Sequence, residues 1–73
     1  MELNNTEQLA EYVRVNRKRQ KVTQVQLSQL ANVGVRFVRD LEDGKPTLQL
    51  DKLLQVLQAL GVVVTLSMLG EDD

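Results

Sequence analysis

Histidine and cysteine are both absent from this 73-residue chain. That removes disulfides, the two commonest zinc ligands and most nucleophile–base pairs. No glycine-rich phosphate loop follows a strand pattern, and no acid pair sits in a plausible pocket, so an enzyme is not expected and neither is a metal or cofactor. What remains able to do chemistry is a set of cations. Eight of the nine lysines and arginines fall between Arg14 and Lys45: Arg14, Arg17, Lys18, Arg19, Lys21, Arg36, Arg39 and Lys45. Only Asp40, Glu42 and Asp43 oppose them there, so the stretch carries about +5 inside a chain whose net charge is −1. A basic middle between acidic flanks is an electrostatic footprint for a polyanion.

The most pointed part of that footprint is Val35, Arg36, Arg39 and Asp40. Spacings of one, three and four put them on one side of a helix. Arginine can bond a guanine edge with two parallel hydrogen bonds, and valine can meet a thymine methyl. A solvated pair of arginines is the blander alternative. Arg17, Lys18 and Arg19 suit the C-terminal end of a first helix, where cations complement the helix dipole, and they suit phosphate contacts equally well.

These residues need elements to hold them. Thr23 to Lys45 reads as two short helices around a sharp corner, Ala31-Asn32-Val33-Gly34, in which Asn32 and Gly34 tolerate positive φ. Leu27 and Ala31 mark the inner face of the first, Val38 and Leu41 that of the second. This is the helix-turn-helix pattern, whose second helix lies in the DNA major groove.

The spacing predicts helices over about 6–19, 24–31, 35–42 and 48–60. Asn5 is the first N-cap, with Gln8 completing a variant capping box, and Thr23 is the second. Leu9, Ala10 and Val13 face inward on the first helix. Ser28 is small enough to let another helix cross closely. Gly34 stands where the third N-cap belongs. Gly44 fits a left-handed closing position, Pro46 blocks continuation and Thr47 can cap the fourth helix. There Leu50, Leu53, Leu54, Leu57 and Leu60 form a broad apolar face with Val56 beside it, and Gly61 ends it. Phe37 packs at the core edge, stacks near the backbone or lies in an interface; the core edge suits it best.

Val62 to Leu69 changes character. Val63, Thr65 and Ser67 alternate with Val64, Leu66 and Met68, which is strand spacing, and Val62 joins them in the expected dimerisation segment. No second strand exists in the chain to pair with it. The economical solution is the same segment from a second copy, antiparallel across a twofold axis; a helical extension or a strand added to another protein are the alternatives. Chains this small often borrow stability from a partner subunit. The reading is therefore a single domain over 1–73, an all-α four-helix fold with a C-terminal strand pairing across a homodimer. No apolar run approaches the ~20 residues that span a bilayer. No membrane role is expected, and the cytoplasm is the simplest location.

Thr23-Gln24, Leu27, Ala31, Val33, Val38, Leu41-Glu42 and Gly44-Lys45 resemble the Xre/Cro-type helix-turn-helix family at the family's own spacing. The resemblance implies a lambda-repressor-like domain. It implies a phosphate contact supported by Gln24, and base contacts from Gly34, Val35, Arg36, Arg39 and Asp40, with Thr23 and Lys45 in the DNA-facing set. It also implies that Arg17 pairs with Glu42. Two residues depart from the family pattern: Asn32 stands where Gly is usual, and Gly34 where a polar residue is common, so a contact at Gly34 would come from its backbone. The stretch from Arg36 through Leu66 is similar to one branch, the HipB-like antitoxins, including the y4mF-type group. That likeness rests on Gly44-Lys45-Pro46-Thr47, the leucine helix and the terminal strand, over about residues 6 to 69. It implies a dimeric repressor of its own operon that binds a palindromic operator in double-stranded DNA, and a HipA-type serine/threonine kinase toxin, single-chain or split, as partner. The chain lacks the longer C-terminal tail of some members. A stand-alone or phage-type repressor without a toxin partner is the alternative.

Overall fold

A computed structural model describes residues 3–70. Four helices follow one another: α1 (Thr6–Arg19), α2 (Gln24–Ala31), α3 (Val35–Glu42) and α4 (Leu50–Ala59). Local chemistry sets their starts. The Asn5 side chain accepts the Gln8 N–H at 2.8 Å, and Gln8 Oε1 accepts the Asn4 N–H at 2.6 Å, so this reciprocal cap reaches one residue upstream of Asn5. Thr23 makes the full capping box: its Oγ1 accepts the Gln26 N–H at 3.0 Å, and Gln26 Oε1 accepts the Thr23 N–H at 2.9 Å.

All four helices stop in the same way. A residue at positive φ donates its N–H to the carbonyl three back, and the next residue donates to the carbonyl five back. This two-bond closure satisfies carbonyls that the helix itself leaves open. The pairs are Lys21→Lys18 with Val22→Arg17, Asn32→Gln29 with Val33→Ser28, Gly44→Leu41 with Lys45→Asp40, and Gly61→Gln58 with Val62→Leu57. After three of the closures the following valine (Val22, Val33 or Val62) packs against the core, so each corner is anchored as well as bonded. Asn32 takes the left-handed conformation at φ 58°, which is how the helix-turn-helix corner forms without glycine there. At Gly44, φ +79° combines with α1 only 3.7 Å from where a Cβ would stand.

The core is one cluster drawn from all four helices: Val13, Leu27, Ala31, Val38, Leu41, Val56, Leu57 and Leu60. Phe37 lies half-buried at its edge. Helix α3 packs between α1 and α2, and α4 lies against α2 and touches α3. Ser28 is buried where the helices crowd, and its hydroxyl bonds back to the Val25 carbonyl at 2.6 Å.

One expectation for the C-terminal third needs correcting. Helix α4 spans Leu50–Ala59 rather than 48–60, and Gln49, not Thr47, is its N-cap, with no side-chain bond. Leu48 is the reason: it turns into the core ahead of the helix. The inward stripe is consequently Leu53, Val56, Leu57 and Leu60, while Leu50 and Leu54 are exposed. No strand forms over 62–69 among the described residues. Strand hydrogen bonds need a second strand, and a single chain offers none. Val62 packs inward, but Val63, Leu66 and Met68 are exposed at 86%, 91% and 75%.

Candidate nucleic-acid interface

The site is built on a clasp between α1 and the end of α3. Arg17 Nε donates to Glu42 Oε2 at 2.6 Å and Arg17 Nη2 to Glu42 Oε1 at 2.9 Å, a two-pronged pair in which both side chains are buried. Arg17 Nη1 donates to the Val22 carbonyl at 2.8 Å. Gln24 Nε2 donates to Glu42 Oε1 at 3.1 Å, tying the first residue of α2 into the same carboxylate. Arg14 reaches the Glu42 carbonyl at 3.2 Å, and Thr6 Oγ1 the Gly44 carbonyl at 2.9 Å. The bond to Glu42 and its negative charge hold the Arg17 pKa above the ordinary arginine value, outweighing the opposing effect of burial. Helix α3 is therefore fixed along one side by Val38, Leu41 and Glu42, all buried, and its other side is presented rigidly.

That other side carries Arg36 and Arg39, both exposed. Val35 is half-buried, less open than its neighbours. Asp40 is half-buried and meets Lys45 Nζ at 3.6 Å, a screened surface pair that leaves Lys45 largely in solvent. Gly34, at φ −70° and ψ 149°, precedes α3 without a side-chain cap and with nothing within 4 Å of where a Cβ would stand. Thr23 and Gln24 sit at the start of α2. The Thr23 hydroxyl oxygen is engaged by the capping box, and half-buried Gln24 keeps one of its two amide hydrogens.

The basic run at the end of α1 divides. Lys18 and Arg19 are exposed, as phosphate contacts require. Arg17 is not available for that role, because its guanidinium is spent inside on Glu42 and Val22; this corrects its inclusion among the phosphate contacts. The Arg17–Glu42 pair implied by the family resemblance is present. Its extension to Gln24, the second anchor through Arg14, and the Gln20 Nε2 bond to the Leu60 carbonyl at 2.9 Å were not visible in the sequence, since each joins residues distant along the chain. Val62 half-covers the core, whereas Val63, Val64, Thr65, Leu66, Ser67 and Met68 lie exposed beyond it.

Residues 13–64 match the family model described as HTH_3, helix-turn-helix. The chain is 51% identical over 59 residues to an HTH-type transcriptional regulator, y4mF, of Sinorhizobium fredii (strain NBRC 101917 / NGR234), covering 81% of this chain and 78% of the relative. Among solved structures it is similar to a chain of a HipA-HipB-O2-O3 complex and to one of a HipB-O4 20mer complex. Each has a TM-score of 0.85 at 20% identity, over 94% of this chain and 97% of the other. No helix among the described residues is long and apolar enough to cross a membrane.

Proposed function

Because the chain belongs to the helix-turn-helix family, to which residues 13–64 match, we propose that it is a sequence-specific transcriptional repressor that lays α3 in the major groove of its own operator. The observation that carries this reading is the pair of exposed arginines, Arg36 and Arg39, on a helix clamped along its opposite side by Leu41 and the Arg17–Glu42 clasp. Arg36 and Arg39 read guanines, and Val35 meets a thymine methyl at the groove wall. Thr23, Gln24, Lys45, Lys18 and Arg19 hold phosphates, and the backbone of Gly34 approaches the duplex. Asp40 orients Lys45 and contributes to the DNA-facing edge.

One module buries little of the duplex, so two copies bind a palindrome with half-sites about 34 Å apart. They join through residues 62–68, whose strand-like spacing and, beyond the core-packed Val62, exposed apolar side chains are both matched by the same segment of a twin. The chain acts in the cytoplasm as a binding module rather than an enzyme, and needs no cofactor. As an antitoxin it also binds a HipA-type kinase toxin. The HipB-like fold and the Gly44-Lys45-Pro46-Thr47 link support that assignment.

Electrophoretic shift of the promoter upstream of the chain's own coding sequence tests the first part. A salt-sensitive, sequence-selective shift is expected, and equal affinity for an unrelated duplex at every salt concentration refutes it. Capture from the native host tests the second: a kinase-like chain is expected, and its absence leaves a stand-alone repressor.

A further inference from the structure

We propose that Lys21 binds a DNA phosphate and that its strained backbone is retained for this role. The proposal rests on the DNA-binding reading above. The chain supplies its own comparison. The four helix ends close with the same pair of hydrogen bonds, and each needs one residue at positive φ. Three of the four positions hold residues suited to that conformation: Asn32, Gly44 and Gly61. The fourth holds Lys21 at φ 60°. A lysine gains nothing sterically there, because its Cβ crowds the backbone as any L side chain does.

The corner cannot relax to relieve it. The Val22 N–H donates to the Arg17 carbonyl at 3.2 Å, and Arg17 Nη1 donates to the Val22 carbonyl at 2.8 Å. One residue further on, Thr23 is fixed by its capping box. Residues held against a local preference tend to mark function.

The side chain points to which function. Lys21 is exposed and joins none of the ion pairs found among the described residues. Glu42, the one buried carboxylate among the described residues, is committed to Arg17 and Gln24. Lys18, Arg19 and Lys21 therefore gather three exposed positive charges, none in an ion pair among the described residues, at the α1–α2 corner immediately before the Thr23-Gln24 start of α2. An ammonium on a flexible stem beside a helix start suits a phosphodiester oxygen as a point charge. A lysine serving only the α1 dipole would instead stabilise the fold, a role that Arg17, Lys18 and Arg19 already fill in the last turn.

The experiment compares the full chain with Lys21→Gly, Lys21→Asn and Lys21→Arg. The probe is a duplex that the wild type has selected from a randomised library. Melting temperature and the dependence of log K on log[salt] are read for each. The Gly variant is expected to melt higher than the wild type while binding several-fold more weakly. Its salt slope should be shallower by about 0.9 for each phosphate no longer neutralised, or twice that for a dimer. The Asn variant should show the same shallower slope, and the Arg variant should keep that of the wild type. A Gly variant with unchanged affinity and slope, or one that melts lower, overturns the proposal. A wild type that binds no duplex at any salt concentration overturns the DNA-binding reading itself and this proposal with it.

Discussion

Replacing Glu42 with alanine removes, in one step, both charge-assisted bonds of Arg17 (2.6 and 2.9 Å) and the Gln24 bond at 3.1 Å. Taking away one member of a buried ion pair costs about 3–5 kcal/mol, because the survivor stays desolvated without its partner. Arg17 keeps its bond to the Val22 carbonyl, which favours the lower end, about 3 kcal/mol. At roughly 0.05–0.15 kcal/mol per residue, a 73-residue domain has only about 4–11 kcal/mol in total. Glu42→Ala therefore removes between a quarter and most of the stability, and should lower Tm by about 12–24 °C at ~4–8 °C per kcal/mol. Thermal and urea unfolding followed by circular dichroism measure it. The double variant Arg17→Met/Glu42→Leu should recover most of the loss, since apolar replacement of a buried pair is often neutral or better. The pH sign also follows. The folded-state Arg17 pKa is raised, so its share of the stability is fully present below the unfolded-state value and is lost only as pH climbs through the folded-state one. The arginine side of the pair should therefore contribute no pH dependence through the neutral range. A Glu42→Ala loss below about 1 kcal/mol, or a double variant no more stable than the single, would refute the view that the clasp holds α3.

Two further outcomes follow from the same geometry. Truncation after Val62 keeps the closure of α4 and the packing of that valine on the core, so the domain should stay folded while sedimenting as a monomer and losing operator affinity; a truncated chain that still sediments as a dimer contradicts pairing through the tail. Gly34→Ser meets open space at an ordinary φ and supplies the missing N-cap, so it should raise stability by about 0.5–1 kcal/mol in urea unfolding; a decrease would show that the helix start is tighter than it looks.

The helical part of the fold was readable because its signals are local. Asn5, Thr23, Asn32, Gly44 and Gly61 mark turns or caps through the chemistry of single residues, and the periodicity of Leu27, Ala31, Val38 and Leu41 finds the core. The reading failed where tertiary packing overrides local preference. Thr47 is as good a cap as Thr23, yet Leu48 finds a place in the core before the helix begins, so α4 starts later and its apolar face turns toward Val56. Arg17 resembles Lys18 and Arg19 in sequence, and only the fold takes it inside to Glu42. Lys21 gave no signal, because nothing in its own type marks a left-handed residue.

Base preference itself tests the central claim most directly. Wild type, Arg36→Ala and Arg39→Ala each select duplexes from the same randomised library. The wild type should recover a twofold-symmetric site. Each variant should lose discrimination at one symmetry-related pair of G·C positions, at a cost of about 1–3 kcal/mol there, and keep the rest of the site. Variants that recover the wild-type site unchanged at every position would contradict base reading by α3.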